Sequence, residues 1–192
     1  MKLALFGYGG HAREAAIQIG REVTFFVDDK YSNNIAKPIS EFNPKEYRII
    51  VAVADSKNRE DVVHKLPKET EYFTFIHPSA QIMDDNIKIG CGSFIGANSV
   101  LTTNIKLGNH TLLNRGNHIG HDSITGDYLS MMPCALIGGN VNIGHNVYLG
   151  SCSNVKEKIN ICSNVIIGMN GVVVKNITTQ GTYVGIPTKK IK

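Results

Sequence analysis

The stretch LLNRGNHIGHDSITGDYLSMMPCALIGGNVNIGHNVYLGSCSNV, residues 112–155, carries an apolar residue at every sixth position. Leu113, Ile119, Met131, Ile137, Ile143, Leu149 and Val155 mark the beat, and Thr125 is its one polar member. Outward from there the same beat runs back through Leu107, Leu101, Ile95 and Ile89 to Met83, and forward through Ile161 and Ile167 to Val173. A period of six fits neither a helix face nor simple strand alternation, so it predicts a solenoid whose turns stack.

The other columns of the repeat give its shape. Glycine follows the apolar residue at positions such as Gly120, Gly126, Gly138, Gly144 and Gly150, where a side chain would crowd a tightly wound corner. Two places further on stand residues that tolerate positive φ, among them Asn98, Asn104, His110, Asp122, Asn140, Asn146, Asn164 and Asn170. Short strands joined by three such left-handed corners per turn make a triangular prism with 18 residues to the coil, and stack Cys134 against Cys152.

The first 78 residues follow a different rule. Leu3–Phe6 reads as a strand, Gly7-Tyr8-Gly9-Gly10 as a tight turn, His11–Ile19 as a helix and Val23–Val27 as a second strand ending in Asp28-Asp29. A third strand, Ile49–Val53, leads through Ala54 and Asp55 into a helix around Asn58–Lys65, and a fourth, Tyr72–Ile76, runs into His77-Pro78. Alternating strands and helices predict a small parallel sheet of Rossmann-like type, with ligands at the carboxyl ends of its strands. The expected organisation is therefore an α/β domain over 1–78 and a β-helix over 79–192.

Composition narrows the function classes. With 192 residues, 42% of them hydrophobic, the chain can bury two modest cores, and a net charge of +4 without an arginine-rich run argues against nucleic acid as a partner. No stretch approaches the roughly 20 apolar residues of a membrane span, and MKLALFGYGG turns to glycine too early for a signal peptide, so a cytoplasmic location is expected. Cys91, Cys134, Cys152 and Cys162 lack CxxC spacing and read as reduced, small, buried residues.

Two constellations carry chemistry. Gly7-Tyr8-Gly9-Gly10-His11-Ala12 fits the loose pattern G-x-G-x-x-A, which suits NAD, a sugar nucleotide, another phosphate or a purely structural turn, because glycine and free helix N–H groups serve each. In the repeat, Asn114 through Asp122 is the segment richest in titratable groups. His121 falls at a corner and points outward, where an imidazole is either a solvated side chain or a general base. Asp122 falls in the positive-φ column, which alone explains its presence.

Together, GYGGHA, FVDD, VAVAD with Asn58-Arg59, IHPSA, LLNRGNHIGHD, GGNVNIGHNVYLGS and the closing VVVKNI and GIPTKKI make the chain resemble the bacterial hexapeptide acyltransferases with a small Rossmann-like N-terminal domain, the aminosugar N-acetyltransferases and sialic acid O-acetyltransferases. The resemblance implies that the coil is a left-handed parallel β-helix and the assembly a homotrimer with active sites between subunits, with acetyl-CoA as co-substrate and no metal. It implies His121 as base, Asp122 as the acid that raises its basicity, and Asn114 close to the reacting amine. Gly9, Gly10, His11, Asp28, Asp29 and Ala54 would hold a nucleotide-linked sugar, and Ser130, Gly139, Ser151 and Met169 would line acetyl-CoA. Lys189, Lys190 and Lys192 either meet the CoA 3′-phosphate or form a solvated terminus.

One departure stands out. Nine residues after the catalytic histidine the aminosugar N-acetyltransferases carry a second histidine near the thioester, and here Ser130 takes that place. Transfer of acetyl from acetyl-CoA to the 4-amino group of a nucleotide-linked aminosugar is the expected activity, with sugar O-acetylation as the alternative. A zinc hydratase using His110, His118, His121 and His145, and a catalytically silent sugar-nucleotide binder, remain the other classes.

Overall fold

In the computed structural model, which describes residues 1–192, the first 72 residues form one parallel sheet between helices. Its strands are β1 (Lys2–Phe6), β2 (Thr24–Val27), β3 (Ala36–Pro38), β4 (Tyr47–Val51) and β5 (Glu71–Tyr72), in the order β3-β2-β1-β4-β5. Helix α1 (Gly10–Ile19) presents Ala12, Ala15 and Ile19, at helical spacing, to Leu5 and Ile50 on one face of the sheet. It ends at Gly20, whose φ of 63° only glycine adopts at little cost and whose N–H returns to Ala16. Helix α2 (Ser56–Lys65) covers the other face with Val62, beside Leu66 and the Phe6, Phe26 and Phe42 cluster. Its N-cap is Asp55, whose carboxylate accepts the Asn58 N–H at 2.8 Å.

The expected fourth strand, Tyr72–Ile76, is two elements. Tyr72 completes the α/β sheet, whereas Phe75–Ile76 pairs in parallel with Phe94–Ile95 as the first strand of the coil. The coil thus begins at residue 75, ahead of the expected boundary at 79. Strand β3 also lies outside the sequence expectation, because three residues interrupted by Lys37 and Pro38 show no alternation.

From residue 75 onward the chain is the expected left-handed parallel β-helix, a prism of three parallel sheets. One face, here the covered face, includes Phe94–Ile95, Leu112–Leu113, Ser130–Met131 and Tyr148–Leu149; the second includes Val100–Leu101, His118–Ile119 and Leu136–Ile137; the third includes Lys106–Leu107, Ile124–Thr125 and Asn142–Ile143. Leu113 pairs with Met131 and Met131 with Leu149, so one turn takes 18 residues. The inward beat residues form one core with Ile95, Leu113, Met131, Leu149 and Ile167 all fully buried. Truncating any of them to alanine costs about 2–5 kcal/mol. The glycine column is a packing requirement between turns: a Cβ on Gly120 would lie 2.6 Å from the carbonyl carbon of Gly138 in the next turn. The non-glycine corner residues from Asn98 to Asn170 adopt φ between 51° and 61°, Asp122 among them at 60°.

The beat does not extend to Met83, which is 65% exposed. Ile82 pairs with Leu101 across a turn one residue longer than the rest, while Ile89 pairs with Leu107 in the regular register. The extra residue lies in the Met83–Asn86 corner, where Asp84 accepts the Asn86 and Asn104 N–H groups and restores the pairing. The cysteines also depart from expectation: Cys91, Cys134 and Cys152 are exposed, since corner positions aim their side chains away from the prism.

Candidate functional site

The carboxyl ends of β1, β2 and β4 converge beside the start of α1. Gly7, at φ 113°, makes the strand-to-helix turn tight enough that a Cβ there would approach the Ala52 carbonyl at 3.2 Å. Gly9 and Gly10 are different, because a Cβ on either would meet nothing within 4 Å. Internal packing therefore does not demand those glycines, and the first turn of α1 carries neither a side-chain cap nor an acidic residue, leaving its N–H groups available to an anion. Asp28 and Asp29 border a cavity of about 300 Å³ with Phe6, Phe42 and Lys65. The Lys65 ammonium stands 3.6 Å from Asp28, and Asp29 accepts the Ser40 N–H at 3.0 Å. His11 turns into the seam with the coil, edge-on to Phe94 at 5.6 Å, with neither ring nitrogen bonded to protein. Burial, with the Arg59 charge adding to it, lowers its pKa to about 4, so the ring is neutral.

That seam is built around Arg59, to which the sequence assigns no role. Arg59 is 1% exposed and ends in five carbonyl oxygens: Val53 at 2.6 Å and Ala54 at 3.2 Å in its own domain, and His110, Tyr128 and Leu129 at 2.9–3.0 Å on the coil. No carboxylate is among its partners, and burial pulls its pKa down to about 9, which still leaves it charged at neutral pH. The sequence signal was an arginine in register with Val62 and Leu66 on the apolar stripe of α2. Ser130, expected to line acetyl-CoA, is fully buried in the same seam. Its hydroxyl donates to the Ala54 carbonyl at 2.6 Å and accepts from Ser56 at 3.0 Å, so its side chain is not available to a thioester. The outward position on a strand, which would face solvent on an open prism, is here beneath the α/β domain.

His121 occupies the edge between the second and third faces, with its side chain 56% exposed. Nδ1 lies 2.8 Å from Oδ2 of Asp122. Asp122 also accepts from Asn104, one turn below, at 2.7 Å; that bond first, and then the one with His121, hold its carboxyl below the usual range. An ionised carboxylate can only accept, so Nδ1 carries the proton and Nε2 keeps its lone pair for outside use. Gly139, one turn above, is the floor under the ring: a Cβ there would come 2.5 Å from Nε2.

The remaining expected residues divide between edges. Asn114 stands at the edge between the covered and second faces, nearly buried, with Oδ1 accepting the Arg115 N–H at 2.7 Å. Ser151 and the 70%-exposed Met169 follow on that edge in successive turns, forming a ledge along the coil axis. His121 is on a different edge, and in a triangular prism the edge it occupies is the one opposite the covered face. A single chain therefore keeps its imidazole away from Asn114 and from its own α/β domain. His110 is buried between Tyr72 and Tyr128, and His118 and His145 sit on separate surfaces, so three imidazoles do not converge within one chain. No helix is long and apolar enough to cross a membrane.

The sequence model of the PglD N-terminal domain matches residues 2–66. GDP-perosamine N-acetyltransferase of Escherichia coli O157:H7 is 32% identical over 110 residues, which make up 57% of this chain and 49% of that protein. The chain spans about half or less of the length of the curated relatives it matches. Among solved structures, the acetyltransferase domain of PglB from Neisseria gonorrhoeae FA1090 superposes with a TM-score of 0.87 at 26% identity, covering 99% of both chains, and has also been determined with acetyl coenzyme A. WeeI from Acinetobacter baumannii AYE superposes at 0.88 with 25% identity over the full length of both.

Proposed function

We propose that this chain is a bacterial sugar acyltransferase of the kind that joins an α/β domain to a hexapeptide-repeat coil, and that it transfers acetyl from acetyl-CoA to the 4-amino group of a nucleotide-linked amino-deoxysugar. The observation that carries the chemistry is the Nδ1 to Asp122 bond, which leaves an exposed Nε2 lone pair on a rigid edge. Nε2 removes a proton from the amine as its nitrogen attacks the thioester carbon; the C–S bond then breaks, and the proton passes to the departing CoA sulfur. No acyl-enzyme is needed, and the products are the N-acetylated sugar and free CoA.

Nucleotide recognition falls to the free N–H groups at Gly10 and His11 and to the Asp28 and Asp29 carboxylates, and the CoA chain follows the Ser151 and Met169 ledge. Because His121 lies on the edge opposite the domain that would hold the sugar, the site is completed by a neighbouring copy, as three chains around an axis would arrange. The setting is synthesis of a surface glycan in the cytoplasm, where nucleotide sugars and acetyl-CoA coexist.

Thiol release from acetyl-CoA, measured across UDP-, dTDP-, GDP- and CMP-linked sugars in amine-bearing and hydroxyl-only forms, tests this. Release with an amine-bearing sugar alone is expected. Turnover of only hydroxyl sugars would make the enzyme an O-acetyltransferase, and no release with any acceptor would overturn acyl transfer.

A further inference from the structure

The segment that leaves β4, Val53-Ala54-Asp55, is held entirely from behind. Arg59 Nη1 grips the Val53 carbonyl at 2.6 Å and reaches the Ala54 carbonyl at 3.2 Å, which the Ser130 hydroxyl holds more closely at 2.6 Å. Both donors are buried, at 1% and 0% exposure. A trans peptide is planar, with its N–H opposite its C=O. Fixing the Val53 carbonyl therefore aims the Ala54 N–H the other way, and fixing the Ala54 carbonyl aims the Asp55 N–H the other way. Neither N–H bonds to any atom of the protein. Two donors thus face away from the atoms that hold their carbonyls, at the carboxyl end of the sheet, where ligands of such folds bind.

We propose that Ser130 is a positioning residue for the nucleotide sugar: through the Ala54 carbonyl, it aims the Asp55 N–H at an acceptor oxygen of that ligand. It touches no substrate itself. The proposal rests on the nucleotide-sugar assignment above, but it places Ser130 on the acceptor side of the reaction, whereas the family pattern places that position beside acetyl-CoA. It also makes the coil, and not the α/β domain alone, responsible for the geometry of the nucleotide site. Arg59 performs the same task for the Ala54 N–H, although it bridges too many carbonyls for its removal to be informative about one of them.

Ser130→Ala removes the donor, and Ser130→Cys keeps the side chain's size while donating poorly. Ser56→Ala serves as the matched seam variant: it loses the bonds from Ser56 Oγ to Ser130 Oγ at 3.0 Å and to the Val147 carbonyl at 3.1 Å, but leaves the Ser130 to Ala54 bond in place. Steady-state kinetics with the amine-bearing acceptor, thermal melting, and calorimetric titration with GDP, UDP, dTDP and CMP are measured on all of them. Both Ser130 variants are expected to raise KM for the nucleotide sugar about 3- to 10-fold, the effect of one misdirected hydrogen bond, and to weaken the bound nucleotide in step. KM for acetyl-CoA and kcat should stay within about twofold. Ser56→Ala should lower the melting temperature similarly with nucleotide affinity unchanged.

A rise in KM for acetyl-CoA instead, or equal losses of nucleotide affinity in Ser56→Ala, would overturn the proposal, as would wild-type affinity in both Ser130 variants. Titration of the wild type separates this from the parent assignment. Failure of the wild type to bind any nucleotide sinks that assignment, whereas wild-type binding unaltered by the Ser130 variants sinks only the role of Ser130. If Ser130→Ala does not fold, Ser130→Cys decides the matter by the same readouts.

Discussion

Replacing Gly139 with alanine should damage catalysis while sparing the fold. Gly139 is not among the positive-φ residues, so its backbone accepts a side chain, yet the new Cβ would stand 2.5, 2.7 and 2.9 Å from Nε2, Cε1 and Cδ2 of His121, against an ordinary contact of 3.4 Å or more. The imidazole must withdraw by about 1 Å, a displacement of the size that costs roughly 10²-fold when it falls on a reacting group. More than half of the ring's side chain faces solvent, so it can swing outward cheaply, and unfolding stability should change by no more than about 0.5 kcal/mol. The swing also stretches the 2.8 Å bond to Asp122 that sets the tautomer. The assay is kcat for CoA thiol release, paired with a thermal melt. A kcat within about twofold of wild type in a normally melting variant would refute the placement of the reactive nitrogen above Gly139.

Three further outcomes follow from the same geometry. His121→Ala should lower kcat by about 10²–10⁴-fold with the fold intact, and Asp122→Asn, which keeps a residue tolerant of φ near 60° at that corner, should lower it by less; an unchanged rate in His121→Ala would remove the imidazole from the mechanism. Arg59→Met strips the only partner from the His110, Val53 and Tyr128 carbonyls and should cost at least about 3 kcal/mol in denaturant unfolding, where a loss below about 1 kcal/mol would show that the seam does not depend on it. Burial, reinforced by the Arg59 charge, holds His11 and His110 near pKa 4 against an ordinary 6.5, so between those values the unfolded chain binds more protons than the folded one. Stability is then complete above pH 6.5 and falls as pH drops toward 4, at up to about 1.4 kcal/mol per pH unit for each ring; His110→Asn should flatten the slope, and a flat wild-type profile would contradict it.

The coil was legible because its rule is local and repeated: inward Leu113, Met131 and Leu149, glycine where turns touch, and left-handed corners each recur every turn. The rule broke where a single residue was inserted near Met83, which a column of apolar residues conceals because Ile82 is apolar too. The common edge of His121, Asp122 and Gly139 was legible, since the repeat fixes which residues stand at each corner and stack in successive turns. Ser130 was not, because its exposure depends on whether another domain lies over that face, and a repeat carries no record of what covers it. Arg59 escaped for the same reason. On an isolated amphipathic helix it looks misplaced, and its partners are backbone oxygens around residues 110 and 128, which have no sequence signature.

The central claim is that the imidazole of one copy serves the nucleotide domain of the next, and subunit mixing tests it directly. One parent is His121→Ala. The other is Gly9→Asp, which places a carboxylate at the N-cap of α1, where it suits the helix but repels phosphate. Each parent alone should be nearly inactive. Unfolded and refolded together in equal amounts, they should recover about a quarter of wild-type thiol release, since that fraction of shared clefts pairs an intact imidazole with an intact nucleotide domain. A mixture no more active than its parents, with mixed assembly verified, would place both halves of the site in one chain and contradict the claim.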